Sequence, residues 1–359
     1  MLEVREEQAK TQHQHGEWVS GAEVERPLDM SLPVIDDKVI RGQDGWLFIA
    51  NDTADAMGQH TGKRLLTEHQ VQQWQDLLEQ RSAWLNIQGI PYLCLIAPDP
   101  HAVYADKLPD GCIPGETRPV LQILDNLAER GSWAPVTYLL DAMQRDHEEE
   151  VYSQTGSHWS EYGAYIGYRE LMAHLTETFP VRTLTRKELN LSFDMRAGDL
   201  GLKFDPPVKS RYVYVDVIDP RARLVRDNRV RNHGRLVEYE ADCFNALTCL
   251  IFGDSYAVAM MPLLAESFQR TIWAHSYFDY ELVREMQPDV VVTVVSERGM
   301  IKVQNDVDTS VRRLAASKQE AGDVMPPRKP TASLRVFGMR PSKGAKPVSA
   351  QGNGASQDT

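Results

Sequence analysis

The run of residues 289–295, DVVVTVV, constrains the fold more than any other segment. It is almost entirely β-branched and shows no polar alternation. A strand of that kind has to be covered on both faces, as happens in parallel sheets sandwiched by helices. Two more short apolar runs fit the same sheet: residues 91–97 (PYLCLIA) and 247–252 (LTCLIF). Shorter strands are expected at 136–140 and 271–274. Helical segments alternate with these strands. Residues 67–88 place Val71, Trp74, Leu77, Leu78, Trp84 and Leu85 mostly on one face, with Thr67 as N-cap. Residues 118–130, 161–178, 257–268 and 280–286 read as further helices. The alternation predicts an α/β fold with a mostly parallel central sheet.

Three segments depart from that pattern. Residues 1–32 are rich in Glu, Gln and His and read as a flexible arm. Residues 180–245, with a strand at 211–217, read as a β-rich insertion. From 313 to 359, Pro, Lys, Ser and Gly dominate, which predicts a disordered basic tail. From Ser317 to Thr359 there are seven Lys/Arg and three Asp/Glu, whereas the whole chain has a net charge of −12. The main domain is therefore expected at 33–312, within the 359 residues of the chain.

An acidic chain lacks the basic face that binds phosphates, so no nucleic-acid partner is expected. No apolar run reaches 18 residues, so no transmembrane segment is expected. The N-terminal residues have no apolar signal segment, which predicts a cytoplasmic location unless a leader precedes them. Four cysteines, Cys94, Cys112, Cys243 and Cys249, have no metal-ligand spacing, and neither a metal site nor another cofactor is expected.

Chemistry is suggested by Gly253-Asp254-Ser255-Tyr256, between an apolar strand and a helix. Open α/β sheets place their sites at the carboxyl edge of such strands. A helix starting after Ser255 brings backbone N–H groups toward a developing oxyanion, and those of Ser255 and Tyr256 are expected to serve there. A serine nucleophile needs a base within hydrogen-bond reach. Of the ten histidines, His158 stands out in the loop Thr155-Gly156-Ser157-His158-Trp159, just before a helix. His275, after a short strand, is a second choice.

Four segments in order carry a resemblance. They are Gly42-Gln43-Asp44-Gly45-Trp46-Leu47-Phe48; Ile96-Ala97-Pro98-Asp99-Pro100 with Val103-Tyr104 and Leu108-Pro109; residues 152–164; and Gly253-Asp254-Ser255-Tyr256. A Pro288-Asp289 pair, the apolar run and Glu297-Arg298 close the series. Together they resemble the alginate O-acetyltransferase family, over roughly residues 35–305. The resemblance implies an SGNH-hydrolase-like domain that O-acetylates a polysaccharide, with Ser255 as acyl-accepting serine and His158 as base.

Two departures matter. The family's aspartate two residues before the histidine is Gly156 here, which leaves three readings: another acid, Asp141 or Asp146, supports the imidazole; the site works slowly as a Ser–His dyad; or the domain is no longer catalytic. Asp99-Pro100 replaces the usual Asn-Lys, which implies a changed loop. Trp159, Tyr162, Tyr256 and Arg298 lie near the motifs and are candidates to line a sugar site, with a packing role as the other reading of each. The resemblance implies a polysaccharide or glycan acceptor, an acyl-donor membrane protein as partner, and a periplasmic location. Two alternatives stand beside the transferase: an acetylesterase, and an impaired carbohydrate-binding or assembly protein of the same fold.

Overall fold

The computed structural model describes residues 37–177, 179–243, 245–326 and 346–347. Its centre is a seven-stranded sheet of order β4-β3-β11-β9-β10-β8-β7. These strands are β3 (Tyr92–Ala97), β4 (Val136–Tyr138), β7 (Ala222–Asp227), β8 (Leu236–Ala241), β9 (Thr248–Gly253), β10 (Arg270–Ala274) and β11 (Val290–Ser296). The first five in that order run parallel, and β8 and β7 add antiparallel at one edge. The β-rich stretch thus divides. β7 and β8 extend the central sheet, while β5 (Leu189–Arg196) and β6 (Ser210–Val217) pair separately, joined by residues 346–347. The hairpin of β1 (Val39–Arg41) and β2 (Leu47–Ile49) forms at its Gly-containing turn, as its sequence predicts.

Every residue of β11 is buried, and alternate side chains serve two cores. Val290, Val292 and Val294 meet α3 (Glu161–Thr176) and α4 (Ala257–Leu264) on one face. Val291 and Val295 meet α1 (Glu68–Ile87), α2 (Pro119–Glu129) and α5 (Tyr280–Met286) on the other. A strand with two dry faces needs that unbroken apolar run. Thr67 caps α1, and Gln70 returns the hydrogen bond to complete a capping box.

Two expectations are revised here. The strand at 136–140 stops at Tyr138, and Leu140–Gln144 is helical. The chain also stays ordered past 312: α6 (Val311–Glu320) buries Val311 and Ala315, which the run of polar residues around them concealed. Residues 1–32 of the expected arm and the tail from 327 on lie outside the described residues, apart from 346–347.

Buried charges clamp the far ends of the chain together. Arg81 on α1 is fully buried and makes two 2.7 Å hydrogen bonds to Asp306. Arg118 meets Glu297 at 2.7 Å, and Tyr138 donates to the same carboxylate at 2.8 Å. Burial pushes the Glu297 carboxyl up to about 7, against the pull of Arg118.

Candidate active site

Ser255 sits in the turn between β9 and α4, near the middle of the parallel array. The turn requires glycine at 253, where a Cβ would stand 2.6 Å from the Val294 carbonyl on the neighbouring strand. Asp254 locks the turn from both sides. Its Oδ1 accepts from the Tyr256 N–H at 2.9 Å and its Oδ2 from the Ser296 N–H at 2.9 Å.

His158 comes from the loop before α3. Its Nε2 lies 2.6 Å from Ser255 Oγ, across 97 residues of sequence. The other ring nitrogen, Nδ1, lies 3.1 Å from Ser157 Oγ. That hydroxyl donates to Asp199 Oδ2 at 2.6 Å, and the Ser157 N–H donates to Asp199 Oδ1 at 2.8 Å. The direct distance from Nδ1 to Asp199 Oδ1 is 4.0 Å, too long for a hydrogen bond. The Ser157 hydroxyl therefore bridges imidazole and carboxylate.

The carboxylate beside His158 is thus Asp199, from the insertion. Asp141 instead lies exposed on the helical turn Leu140–Gln144, and Asp146 is exposed just beyond it. The expected donor failed because residue 141 ends no strand and faces solvent. Asp199 reaches the loop because residue 198 is glycine. A Cβ there would stand 2.2 Å from the Thr155 carbonyl and 2.7 Å from Gly156 Cα. The Leu200 and Gly201 N–H groups both donate to the Thr155 carbonyl, at 3.1 and 3.0 Å. Burial by itself would raise the Asp199 pKa, but the nearby His158 imidazole and the hydrogen bonds from the Ser157 hydroxyl and N–H hold it well below the usual carboxylate range. The side chain is also 49% exposed, so water tempers both influences. His158 is 37% exposed, leaving the pair open to a substrate.

The oxyanion expectation divides. The Tyr256 N–H is taken by Asp254, and the Ala257 and Val258 N–H groups bond back to Asp254 and Ser255 carbonyls. The Ser255 N–H has no acceptor among the described residues.

Beneath the loop, Tyr256 O–H donates to the Ser157 carbonyl at 2.8 Å. Arg298 reaches the same carbonyl at 3.3 Å, Tyr256 Oη at 3.1 Å, and ion-pairs with Asp99. Asp99 thus balances a partly buried guanidinium, which accounts for the carboxylate where the resembled family has asparagine. Arg298 supports the histidine loop from below, and it borders a cleft of about 1000 Å³, of mixed polar and apolar lining, that Gly253 and Asp254 also line. Trp159 lines the pocket holding Ser255 and His158, with its Nε1 donating to the Tyr256 carbonyl at 3.0 Å. Tyr162 is buried in the core against Tyr165 and His147, away from that pocket. His275 packs on His233 and Trp273.

The four motif segments converge here. The Leu47 N–H of the hairpin donates to the Gln154 carbonyl at 2.8 Å, and the Val151 N–H donates to Tyr104 Oη at 3.2 Å. Tyr152 O–H donates to the Pro98 carbonyl. Among the described residues no group of three His, Cys, Asp or Glu could hold a metal ion, and no helix is long and apolar enough to cross a membrane.

A mostly parallel sheet clad by helices on both faces, with a serine turn at its carboxyl edge, is the SGNH-hydrolase-like class of α/β domain. The chain belongs to the family described as SGNH hydrolase-like domain, acetyltransferase AlgX, which it matches over residues 39–292. Among solved structures, Bacillus cereus PatB1 with a sulfonyl adduct superposes with a TM-score of 0.57 at 14% identity, covering 74% of this chain and 100% of that one. The O-acetyltransferase domain of Pseudomonas putida AlgJ gives 0.51 at 17% identity, over 79% and 99%. A DHHW family protein from Eubacterium siraeum gives 0.52 at 14% identity, over 77% and 100%. At these identities the structural likeness speaks for the fold. A search of curated proteins finds no match. The family match lends no support to the expected cytoplasmic location, which rested on N-terminal residues outside the described range.

Proposed function

We propose that this protein is an O-acetyltransferase acting on a polysaccharide or glycan through Ser255 and His158. The observation that carries this reading is the 2.6 Å approach of His158 Nε2 to Ser255 Oγ. In the first half-reaction His158 Nε2 takes the Ser255 proton while Oγ bonds to the acyl carbon of an ester or thioester donor. The donor's C–O or C–S bond breaks, and the leaving group collects the proton from His158. In the second half, His158 deprotonates a sugar hydroxyl, whose oxygen attacks the acyl-serine ester. Ser255 Oγ leaves and regains the proton.

Asp199, acting through Ser157, orients the ring with Nδ1–H away from the nucleophile and steadies the imidazolium that forms. The Ser255 N–H stabilises the tetrahedral oxyanion. The cleft beside Gly253 and Asp254, with Arg64, Gln70, Gln73, Lys302 and Asn305, suits a sugar acceptor. The acyl donor is supplied by a partner, for which a membrane acyl carrier fits the family, and a periplasmic location accords with that supply. Asp199 weakens the impaired-protein reading, because a carboxylate faces the loop despite Gly156.

Intact-mass spectrometry after incubation with p-nitrophenyl acetate tests the reading. An acetyl adduct on wild type, absent from Ser255→Ala, supports it, as does ester turnover lost in Ser255→Ala and His158→Ala. Wild type showing neither adduct nor turnover above the variants would remove it. Release of acetate with no transfer to any added glycan would make the protein an esterase instead.

A further inference from the structure

The pocket that contains Ser255 and His158 is larger and drier than an acetyl group needs. Its volume is about 300 Å³. At the ~30 Å³ that one water occupies in the liquid, that space takes about ten heavy atoms. One wall is a helix face. Val258, Ala259 and Pro262 recur at three- and four-residue spacing along one side of α4, with Ser255 in the turn at its start. At 1.5 Å per residue, the helical wall from Val258 to Pro262 is about 6 Å long, and the turn at Ser255 extends it. The facing wall comes from the insertion, through Val215 and Tyr212.

Ser255, His158 and Asp199 lie at the reacting end of this trough, and two polar groups further along it are partly engaged. Glu161 accepts the Val215 N–H at 2.9 Å. The Arg196 guanidinium lies over the Tyr212 ring, 4.4 Å from its centre. A sugar buried here would give up water at its hydroxyls for few hydrogen bonds, which is costly. A hydrocarbon chain gives up nothing of that kind and removes apolar surface from water. The cleft on the other side of the serine turn remains for the sugar.

We infer that the trough along α4 is an acyl-chain pocket, and that the serine site accepts linear acyl groups of about six to eight carbons as well as acetyl. This rests on the acyl-transfer reading above and names the acyl class for it. The chemistry is unchanged: Ser255 Oγ bonds to the carbonyl carbon, and the chain lies beside Val258, Ala259 and Pro262.

The test uses the full chain with p-nitrophenyl acetate, butyrate, hexanoate, octanoate and dodecanoate, each below its aggregation limit. kcat/KM should rise from acetate to hexanoate or octanoate, by up to about fourfold per methylene, the fold-change that ~0.8 kcal/mol of burial gives. It should fall at dodecanoate, which outruns the wall. Ala259→Phe fills the trough from a partly exposed helix position, and should lower the octanoate-to-acetate ratio of kcat/KM at least tenfold. Intact mass should show an octanoyl adduct on wild type and little on that variant. A wild-type profile that falls steadily from acetate overturns the inference while leaving acyl transfer standing. So does a rise with chain length that Ala259→Phe leaves unaltered. If no ester is turned over above Ser255→Ala, the acyl-transfer reading itself fails and the pocket assignment falls with it.

Discussion

Asp199 Oδ1 lies 3.8 Å from the point where a side chain at Gly156 would begin. The carboxylate missing two residues before the histidine is thus present in space, carried by a turn 42 residues beyond Ser157. Residue 156 is small enough to leave that room. A histidine base needs a neighbouring acceptor for its second nitrogen, and under the proposed reading Asp199 meets that need from a different segment, through Ser157.

This makes a relocation experiment possible. Asp199→Ala should lower kcat for ester turnover by about 10²–10³, less than the ~10⁴ seen when a directly bonded triad aspartate is replaced, because Ser157 stands between. Adding Gly156→Asp to Asp199→Ala should recover at least tenfold. Gly156→Asp alone should slow the enzyme, since two carboxylates then share one imidazole. If the double variant is no faster than Asp199→Ala, the two positions are not equivalent.

Ser255→Ala and His158→Ala should each reduce kcat by at least about a thousandfold, and the double variant should be hardly slower than either. Groups that act on one proton transfer lose their effect together. Effects that multiply would show that the two residues act independently. Stopped-flow or steady-state ester hydrolysis provides the measurement.

How much of this was legible beforehand depends on what each residue's neighbours in sequence reveal. The DVVVTVV strand, the Thr67 cap and the placement of Ser255 all follow from local pattern, because burial on two faces, capping and the strand-to-helix turn leave marks within a few residues. His158 stood out by its loop. Asp199 did not, since it lies in Arg196-Ala197-Gly198-Asp199-Leu200-Gly201, a segment that reads as an ordinary turn. Its role comes from the close approach at Gly198, a contact 43 residues from Thr155. Asp141 was favoured only because a strand was expected to end there. Helix α6 was missed because two buried side chains in ten residues leave a weak apolar pattern.

Asp306→Ala should destabilise the fold by about 3–5 kcal/mol, because it leaves the Arg81 guanidinium buried without its carboxylate. Chemical denaturation monitored by tryptophan fluorescence measures this. Replacing both residues together, Arg81→Met with Asp306→Leu, should cost distinctly less than the single change. Equal losses would mean that the pair contributes through packing alone.

His60 predicts an acid-sensitive term in stability. Burial, reinforced by the charges of His101 and Arg118, lowers its pKa from 6.5 to about 3. Both ring nitrogens lack a partner among the described residues. The unfolded chain therefore takes up a proton near pH 6.5 that the folded protein refuses. Stability from this residue is complete above pH 6.5 and declines as the pH falls toward 3, at a slope approaching ~1.4 kcal/mol per pH unit. His275, lowered to about 4 by burial and by His233, adds in the same direction. Glu297, raised to about 7 by burial, opposes them, since its contribution declines as pH rises from 4.5 to 7. Urea unfolding from pH 7 to pH 4.5 should show a shallower acid decline in His60→Gln than in wild type. Parallel curves would rule His60 out as the source.

The Thr155 carbonyl accepts from Leu200 and Gly201 at once, so one peptide oxygen ties the turn bearing Asp199 twice to the loop bearing His158, beside the Ser157 bonds to Asp199. Whatever lifts the turn withdraws Asp199 and uncovers two amides together. Hydrogen–deuterium exchange at Leu200 and Gly201 thus offers a clock for the pairing of turn and loop, running apart from the slower opening of the sheet beneath.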